Sequence, residues 1–272
     1  AAWFAGSRVA TVLHRSTSGR VRGVSGNADP LRIAMWSGPR NISTAMMRAF
    51  ENRDDCVVRD EPYYACYLAA TGIDHPMRDE VLGSQPTDWH EVVETLTAPI
   101  PVSATIEYQK HMTQHMVADL DETWLQGLTH AFLVRNPVDM VASYVKKRSQ
   151  VSIADLGLPR QVEVYKFVCA ATGQKPPVLD ARDVLQAPET MLRGLCQQLG
   201  IGFSEKMLAW PPGLRDSDGV WASHWYNAVA KSTGFEVYTS HNDNLPRAYQ
   251  TVADSCREHY EYFLERKSVF SD

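Results

Sequence analysis

A chain of 272 residues, 44% hydrophobic and 22% charged, has the make-up of an ordinary soluble globular protein with enough apolar material for a sizeable core. Its net charge of −5, without any block of like charge, excludes a global attraction to nucleic acid, so an anionic ligand has to be held by local groups. No apolar stretch approaches the roughly 20 residues needed to cross a bilayer, and five cysteines without a Cys-x-x-Cys pair read as reduced, mostly buried thiols.

Residues 1–29 hold four arginines (Arg8, Arg15, Arg20, Arg22) and no acid before Asp29, which reads as an organelle transit remnant or as a loose N-terminal arm. The expected location is the cytoplasm, or an organelle lumen if residues 1–28 are a transit segment. Residues 30–272 show no repeat, low-complexity tract or linker and read as one domain.

From Leu31 onward short apolar runs alternate with helical periodicity, the pattern of an α/β fold with a largely parallel sheet. Leu31 to Trp36 reads as a buried strand, Ser37 to Asn41 as a turn and Ser43 to Glu51 as a helix. Further strands are expected at Val102 to Tyr108, Ala131 to Val134 and Val178 to Ala181. Helices are expected at Trp89 to Thr97, at Pro137 to Lys147 behind an Asn136 N-cap, and at Gln161 to Thr172 and Pro188 to Leu199. The last two are closed by Gly173 and Gly200. A final helix from Pro246 to about Lys267 aligns Tyr249, Val252, Ala253, Cys256, Tyr260 and Leu264 on one face.

The first segment with chemistry runs Ile33-Ala-Met-Trp-Ser-Gly-Pro-Arg-Asn-Ile-Ser-Thr44. A strand entering a Gly/Pro turn and then a helix start is an anion trap. Free backbone N–H groups and the helix dipole favour negative charge, Arg40 bridges oxygens, and the Ser43 and Thr44 hydroxyls donate. The nucleoside-triphosphate pattern G-x-x-x-x-G-K-[ST] is absent, since Arg40 stands in the Lys position and Ile42 where its second Gly would be. A β-branched residue resists positive φ, so Ile42 either takes ordinary backbone angles or holds strain. The second segment, Ala131-Phe-Leu-Val-Arg-Asn-Pro-Val-Asp-Met-Val-Ala-Ser143, delivers Arg135 at a strand end and Ser143 two turns into a helix.

Both segments, in this order, resemble those of sulfotransferases that use 3′-phosphoadenosine 5′-phosphosulfate. Pro39, Arg40, Ser43 and Thr44 match the 5′-phosphosulfate loop, from which Asn41 and Ile42 depart. Arg135, Asn136, Pro137, Asp139 and Ser143 match the 3′-phosphate motif R-[DN]-P-x-[DE]-x-x-x-S. A third stretch, Pro177 to Glu189, resembles the family's late strand–turn–helix, in which Asp180 and Asp183 read as capping or turn residues. The resemblance implies a three-layer α/β/α fold of P-loop-like architecture. It also implies donor binding by Arg40, Asn41, Ser43, Thr44, Arg135 and Ser143, with no metal.

For the acceptor proton the candidates are Glu61, in Arg59-Asp-Glu-Pro-Tyr-Tyr64, and the pair His111 and His115. Some bacterial sulfotransferases carry a glutamate base in a similar context, and Pro62, Tyr63 and Tyr64 are placed to desolvate Glu61 and raise its pKa. Lys110 and Arg40 are candidates for neutralising the departing bridge oxygen. Spaced four apart, His111 and His115 would line one helix face, while His75, His90 and His130 read as loop or surface residues. Trp and Tyr residues at 60–90 and 207–240 suggest an aromatic-lined pocket. The expectation is sulfuryl transfer to a hydroxyl or amine of a small-molecule acceptor, with neither nucleic acid nor membrane as partner and the oligomeric state open. An ATP-dependent P-loop phosphotransferase and a non-catalytic nucleotide-binding module are the rival readings.

Overall fold

The computed structural model describes residues 30–117, 121–239 and 245–271. The N-terminal arm, with its transit-like composition, lies outside the described residues. In chain order the elements begin β1 (Leu31–Ser37), α1 (Ser43–Glu51), β2 (Cys56–Asp60), α2 (Tyr64–Thr71), α3 (Arg78–Ser84) and α4 (Trp89–Thr97). Then come β3 (Ile106–Met112), β4 (Thr129–Val134), α5 (Pro137–Tyr144), α6 (Ile153–Leu156), α7 (Leu158–Thr172), β5 (Val178–Asp180), α8 (Ala181–Gln186) and α9 (Pro188–Leu199). The last are α10 (Ala222–Trp225), α11 (Arg247–Ser255) and α12 (Arg257–Leu264).

The strands form one parallel sheet in the order β2-β3-β1-β4-β5. Along β1 side chains alternate between two cores, as the strand period of two requires. Ile33 and Met35 pack with Met46, Met47 and Phe50 of α1 and with Leu192 and Leu195 of α9. Ala34 and Trp36 pack with Val164 and Val168 of α7 and Phe263 of α12. The result is an α/β/α sandwich. Each fully buried Leu, Met or Phe in these layers contributes about 1.5–3 kcal/mol.

Most expected elements are present. Asn136 caps α5 by accepting from the Val138 N–H, with Pro137 at the first helical position. Gly173 and Gly200 close α7 and α9 at φ 68° and 71°. Asp180 caps α8 by accepting from the Arg182 N–H, so its expected turn role holds. The five cysteines are free thiols, four of them buried.

Three elements differ from expectation. The strand read at Val102 to Tyr108 begins at Ile106 and continues to Met112, and Val102 is 97% exposed. β2, an edge strand, was not anticipated. The last helix is interrupted at Cys256, whose N–H bonds the Ala253 carbonyl, three residues back. Tyr249, Val252, Ala253, Cys256 and Tyr260 keep a common apolar face, whereas Leu264 is exposed and Phe263 enters the core in its place.

In open parallel sheets ligands bind outside the carboxyl ends of the strands, where the strand order reverses. Here β1 is flanked by β3 and β4, so that position lies beside the turn after β1. Arg40 follows β1, Glu61 follows β2, Lys110 lies near the end of β3 and Arg135 follows β4.

Candidate active site

The carboxyl ends of these strands open onto a cleft of about 400 Å³. Its wall includes Arg40, Asn41, Ser43, Thr44, Glu61, Lys110, His115, Arg135 and Ser143. Of the candidate residues read from the sequence, His111 is the one that does not line it.

The turn after β1 is held by side chains from elsewhere. A Cβ on Gly38 would meet the Leu156 carbonyl oxygen at 2.3 Å, so only glycine lets the turn approach α6 this closely. Asn41 Nδ2 donates to the Leu133 carbonyl at 2.8 Å, and Gln161 Nε2 donates to the carbonyls of Trp36 (2.9 Å) and Leu133 (3.0 Å). Arg135 Nη1 donates to the Arg40 carbonyl at 2.8 Å. Asn41, a departure from the family loop, therefore pins the turn through its amide. Arg40 and Ile42 adopt φ of 58° and 48°, so the turn holds the strain that a β-branched residue incurs in the left-handed region. Helix α1 has no side-chain cap and no acidic residue in its first turn, and its N-terminus faces the cleft.

Two guanidiniums flank this turn. Arg40 Nε donates to Ser143 Oγ at 3.0 Å. Among the described residues neither Arg40 nor Arg135 forms an ion pair, although both are half-buried. Burial lowers the pKa of each, and Arg135 lowers that of Arg40 further. Asp139 and Asp180 offset the lowering at Arg135 only in part. Two guanidiniums kept close, neither in an ion pair among the described residues, beside an uncapped helix N-terminus, make a site that an anion would stabilise.

Across the cleft lies a buried carboxylate–ammonium network. Lys110 Nζ donates to Asp60 Oδ1 (2.9 Å), Glu61 Oε1 (2.6 Å) and the Tyr226 hydroxyl (2.5 Å). An ammonium has three N–H groups and all are used, so Lys110 has none left for a leaving oxygen. The leaving-group role expected of it would require Lys110 to give up one of these three bonds. Two carboxylates share one ammonium, which leaves a surplus negative charge. The side chains of Asp60 and Lys110 are each 1% exposed against 11% for Glu61, so Glu61 is the carboxylate that meets the cleft. Burial raises the Glu61 pKa, Lys110 draws it back and Asp60 pushes it up again, leaving it above the usual glutamate value. Burial alone would lower Lys110, but the Asp60 and Glu61 carboxylates reverse this and raise it.

The histidine reading needs correction. β3 pairs in register with β1 so that Lys110 lies opposite Met35 and His111 opposite Trp36. Lys110 and His111 therefore point to opposite faces of the sheet, and no helix carries His111 and His115. His111 stacks on Trp36 (centroids 4.4 Å apart), its Nε2 pairs with Gln109 Oε1 at 3.1 Å, and burial lowers its pKa to about 3. His115, in the 3-10 turn Thr113–His115, lines the cleft between the rings of Tyr64 and Tyr67, and burial keeps it neutral. His130 is buried, not superficial. It accepts from Trp36 Nε1 at 3.0 Å, and burial lowers its pKa to about 4. His75 lines the cleft and pairs with the Tyr64 hydroxyl.

Tyr64, Tyr67, Tyr144, Trp225 and Tyr226 also line the cleft. Trp221 and Tyr226 fall within the aromatic stretch 207–240 read as a pocket wall, but their place with Asp60 in the Glu61 network is not signalled in the sequence beyond the adjacent Asp60-Glu61 pair. Among the described residues no cluster of three or more His, Cys, Asp or Glu is placed to hold a metal ion. None of the described helices is long and apolar enough to cross a membrane.

The chain is 40% identical over 227 residues to branched-chain-amino-acid aminotransferase-like protein 1 of Arabidopsis thaliana, covering 84% of this chain. It is 34% identical over 224 residues to the corresponding protein 2 of the same plant, covering 82% of this chain. The chain spans only 40% of the length of each of these relatives. In three dimensions it resembles a sulfotransferase from Alicyclobacillus acidocaldarius at a TM-score of 0.50, with 11% identity over 89% of this chain and 98% of the other. The sulfotransferase domain family matches residues 31–252, and the chain belongs to that family.

Proposed function

We propose that this chain transfers the sulfuryl group of 3′-phosphoadenosine 5′-phosphosulfate to a hydroxyl or amine of a small-molecule acceptor. The observation that supports the donor most directly is the pair Arg40 and Arg135, two guanidiniums beside an uncapped helix N-terminus and without ion-pair partners among the described residues. Arg40, Ser43, Thr44 and the first-turn N–H groups of α1 would hold the 5′-phosphosulfate. Arg135 and Ser143 would hold the 3′-phosphate, the group that separates this donor from ATP. When bound, the donor supplies an activated sulfuryl group on a phosphate leaving group.

The chain's own residues supply the rest. Glu61 takes the acceptor proton, because its carboxylate meets the cleft and carries the surplus charge of the network. Lys110 and Asp60 hold Glu61 in place. Arg40 stabilises charge at the leaving oxygen from a site already fixed by Ser143 and the turn. The aromatic wall excludes water and orients the acceptor.

Incubation with labelled donor and a panel of hydroxyl and amine acceptors tests this reading. Sulfated product that vanishes in Arg40→Ala is the expected result. Tight binding of 3′-phosphoadenosine 5′-phosphate without any sulfated product would point to a non-catalytic module. Transfer from ATP instead would establish the phosphotransferase.

A further inference from the structure

Tyr226 belongs to none of the motif segments, yet it closes the network around Glu61 from 165 residues away in the chain. Its phenolic oxygen accepts from Lys110 Nζ at 2.5 Å and from Trp221 Nε1 at 3.1 Å, which occupies both lone pairs. Its one proton then goes to a carboxylate. The Asp60 oxygens lie 2.7 and 2.8 Å away and Glu61 Oε1 lies at 3.3 Å. The Gly219 N–H adds a bond of 3.2 Å to Asp60 Oδ2. Asp60 thus gathers Lys110, Tyr226 and a backbone N–H, whereas Glu61 has Lys110 alone at short range.

We propose that Tyr226 is a positioning residue of the reaction. By giving its proton to Asp60 it fixes the buried carboxylate as the standing counter-ion of Lys110, and so leaves Glu61 as the carboxylate that accepts the substrate proton. Trp221 orients the phenol for this. The inference rests on the assignment of Glu61 as the base.

The groups facing Glu61 are Asp60 from β2, Lys110 from β3, Tyr64 from α2 and Tyr226 from the chain after α10, and the Lys110 charge also acts on His115. Burial raises both tyrosines, so they stay protonated, and it keeps His115 neutral. Lys110 stays charged. Removing the Tyr226 hydroxyl takes from Asp60 the proton that offsets its charge and from Glu61 its weaker bond to the phenol, so a less screened Asp60 pushes the Glu61 midpoint up.

The test is a carbon NMR titration of the whole chain labelled at glutamate carboxyls, with Glu61 assigned by the signal lost in Glu61→Gln. In Tyr226→Phe the Glu61 midpoint should rise by about one pH unit, the worth of one lost hydrogen bond. With one accepted substrate, turnover should fall on the acid side and recover in alkali, while the KM for donor stays unchanged. If Tyr226→Phe does not fold, Trp221→Phe removes the indole N–H that orients the phenol, with a smaller ring in its place, and it should raise the midpoint by a smaller amount. An unmoved or lowered midpoint in the folded variant, beside an inactive Glu61→Gln, overturns the role of Tyr226 alone. Full turnover by Glu61→Gln overturns the base assignment whatever the titration gives.

Discussion

Replacing Glu61 with Gln separates catalysis from stability. The amide keeps an oxygen where Glu61 Oε1 accepts from Lys110 Nζ at 2.6 Å, so Lys110 retains its three bonds. What is lost is the ability to take a proton, and turnover should fall by roughly 10²–10⁴-fold. Stability should move the other way. Two carboxylates share one buried ammonium, and Glu61 carries the surplus charge. Its native pKa lies above its unfolded value, so the stability tied to its protonated form is present below the unfolded value of 4.5 and lost as pH rises through the native pKa. Each pH unit of that upward shift is worth about 1.4 kcal/mol at neutral pH. Glu61→Gln should therefore match the wild type in acid and exceed it at neutral pH. Asp60→Ala, which strips an acceptor from Lys110, Tyr226 and the Gly219 N–H together, should lose on the order of 3–5 kcal/mol. Urea unfolding at several pH values gives the stabilities, and single-turnover rates give the catalysis. A Glu61→Gln protein that is less stable than wild type at neutral pH refutes the surplus-charge argument, and one that turns over normally refutes the base role.

Arg40→Ala should lower turnover more than donor affinity, because the charge it meets grows only as the sulfur–oxygen bond breaks. A raised KM with turnover unchanged would make Arg40 a ground-state clamp. His111→Ala opens a cavity beneath Trp36 and Tyr63 and should cost about 2–4 kcal/mol in thermal or urea unfolding, with the affinity for 3′-phosphoadenosine 5′-phosphate unaltered, since His111 stacks away from the cleft. Gly38→Ala places a methyl 2.3 Å from the Leu156 carbonyl oxygen, and it should cost about 1–3 kcal/mol and weaken nucleotide binding by displacing the turn. Calorimetry on the folded variant checks the second effect.

The parts of the molecule legible in the sequence are those whose signals are local. The apolar run of β1, the Asn136-Pro137 start of α5 and the glycines after α7 and α9 each announce themselves within a few residues. β3 was misplaced because its burial is polar. Glu107, Gln109, Lys110 and His111 are all buried, and the charged ones are met from other strands: Arg32 and Arg59 reach Glu107, and Asp60 reaches Lys110. Hydropathy reads such a segment as surface and favours the exposed Val102 instead. β2 was missed because its sequence, Cys-Val-Val-Arg-Asp, is only five residues long and sits among acids, and its Arg59 is met by Glu107 of β3. At the site the turn from Pro39 to Thr44 was legible. The Tyr226 contact was not, because it joins residues 165 positions apart and depends on the path of the chain after residue 210.

The central claim is that the cleft is built for a nucleotide carrying both a 5′ and a 3′ anionic group. Calorimetric titration of the purified chain with 3′-phosphoadenosine 5′-phosphate and with 5′-AMP tests it most directly, with Arg135→Ala as the companion. Arg135 lies beside the Arg40 carbonyl with no ion-pair partner among the described residues, and one charge-assisted contact from it is worth about 1.5–3 kcal/mol. The wild type should bind the bisphosphate at least about tenfold more tightly than 5′-AMP, and Arg135→Ala should bind the two alike while remaining folded. Equal affinities in the wild type would contradict the account.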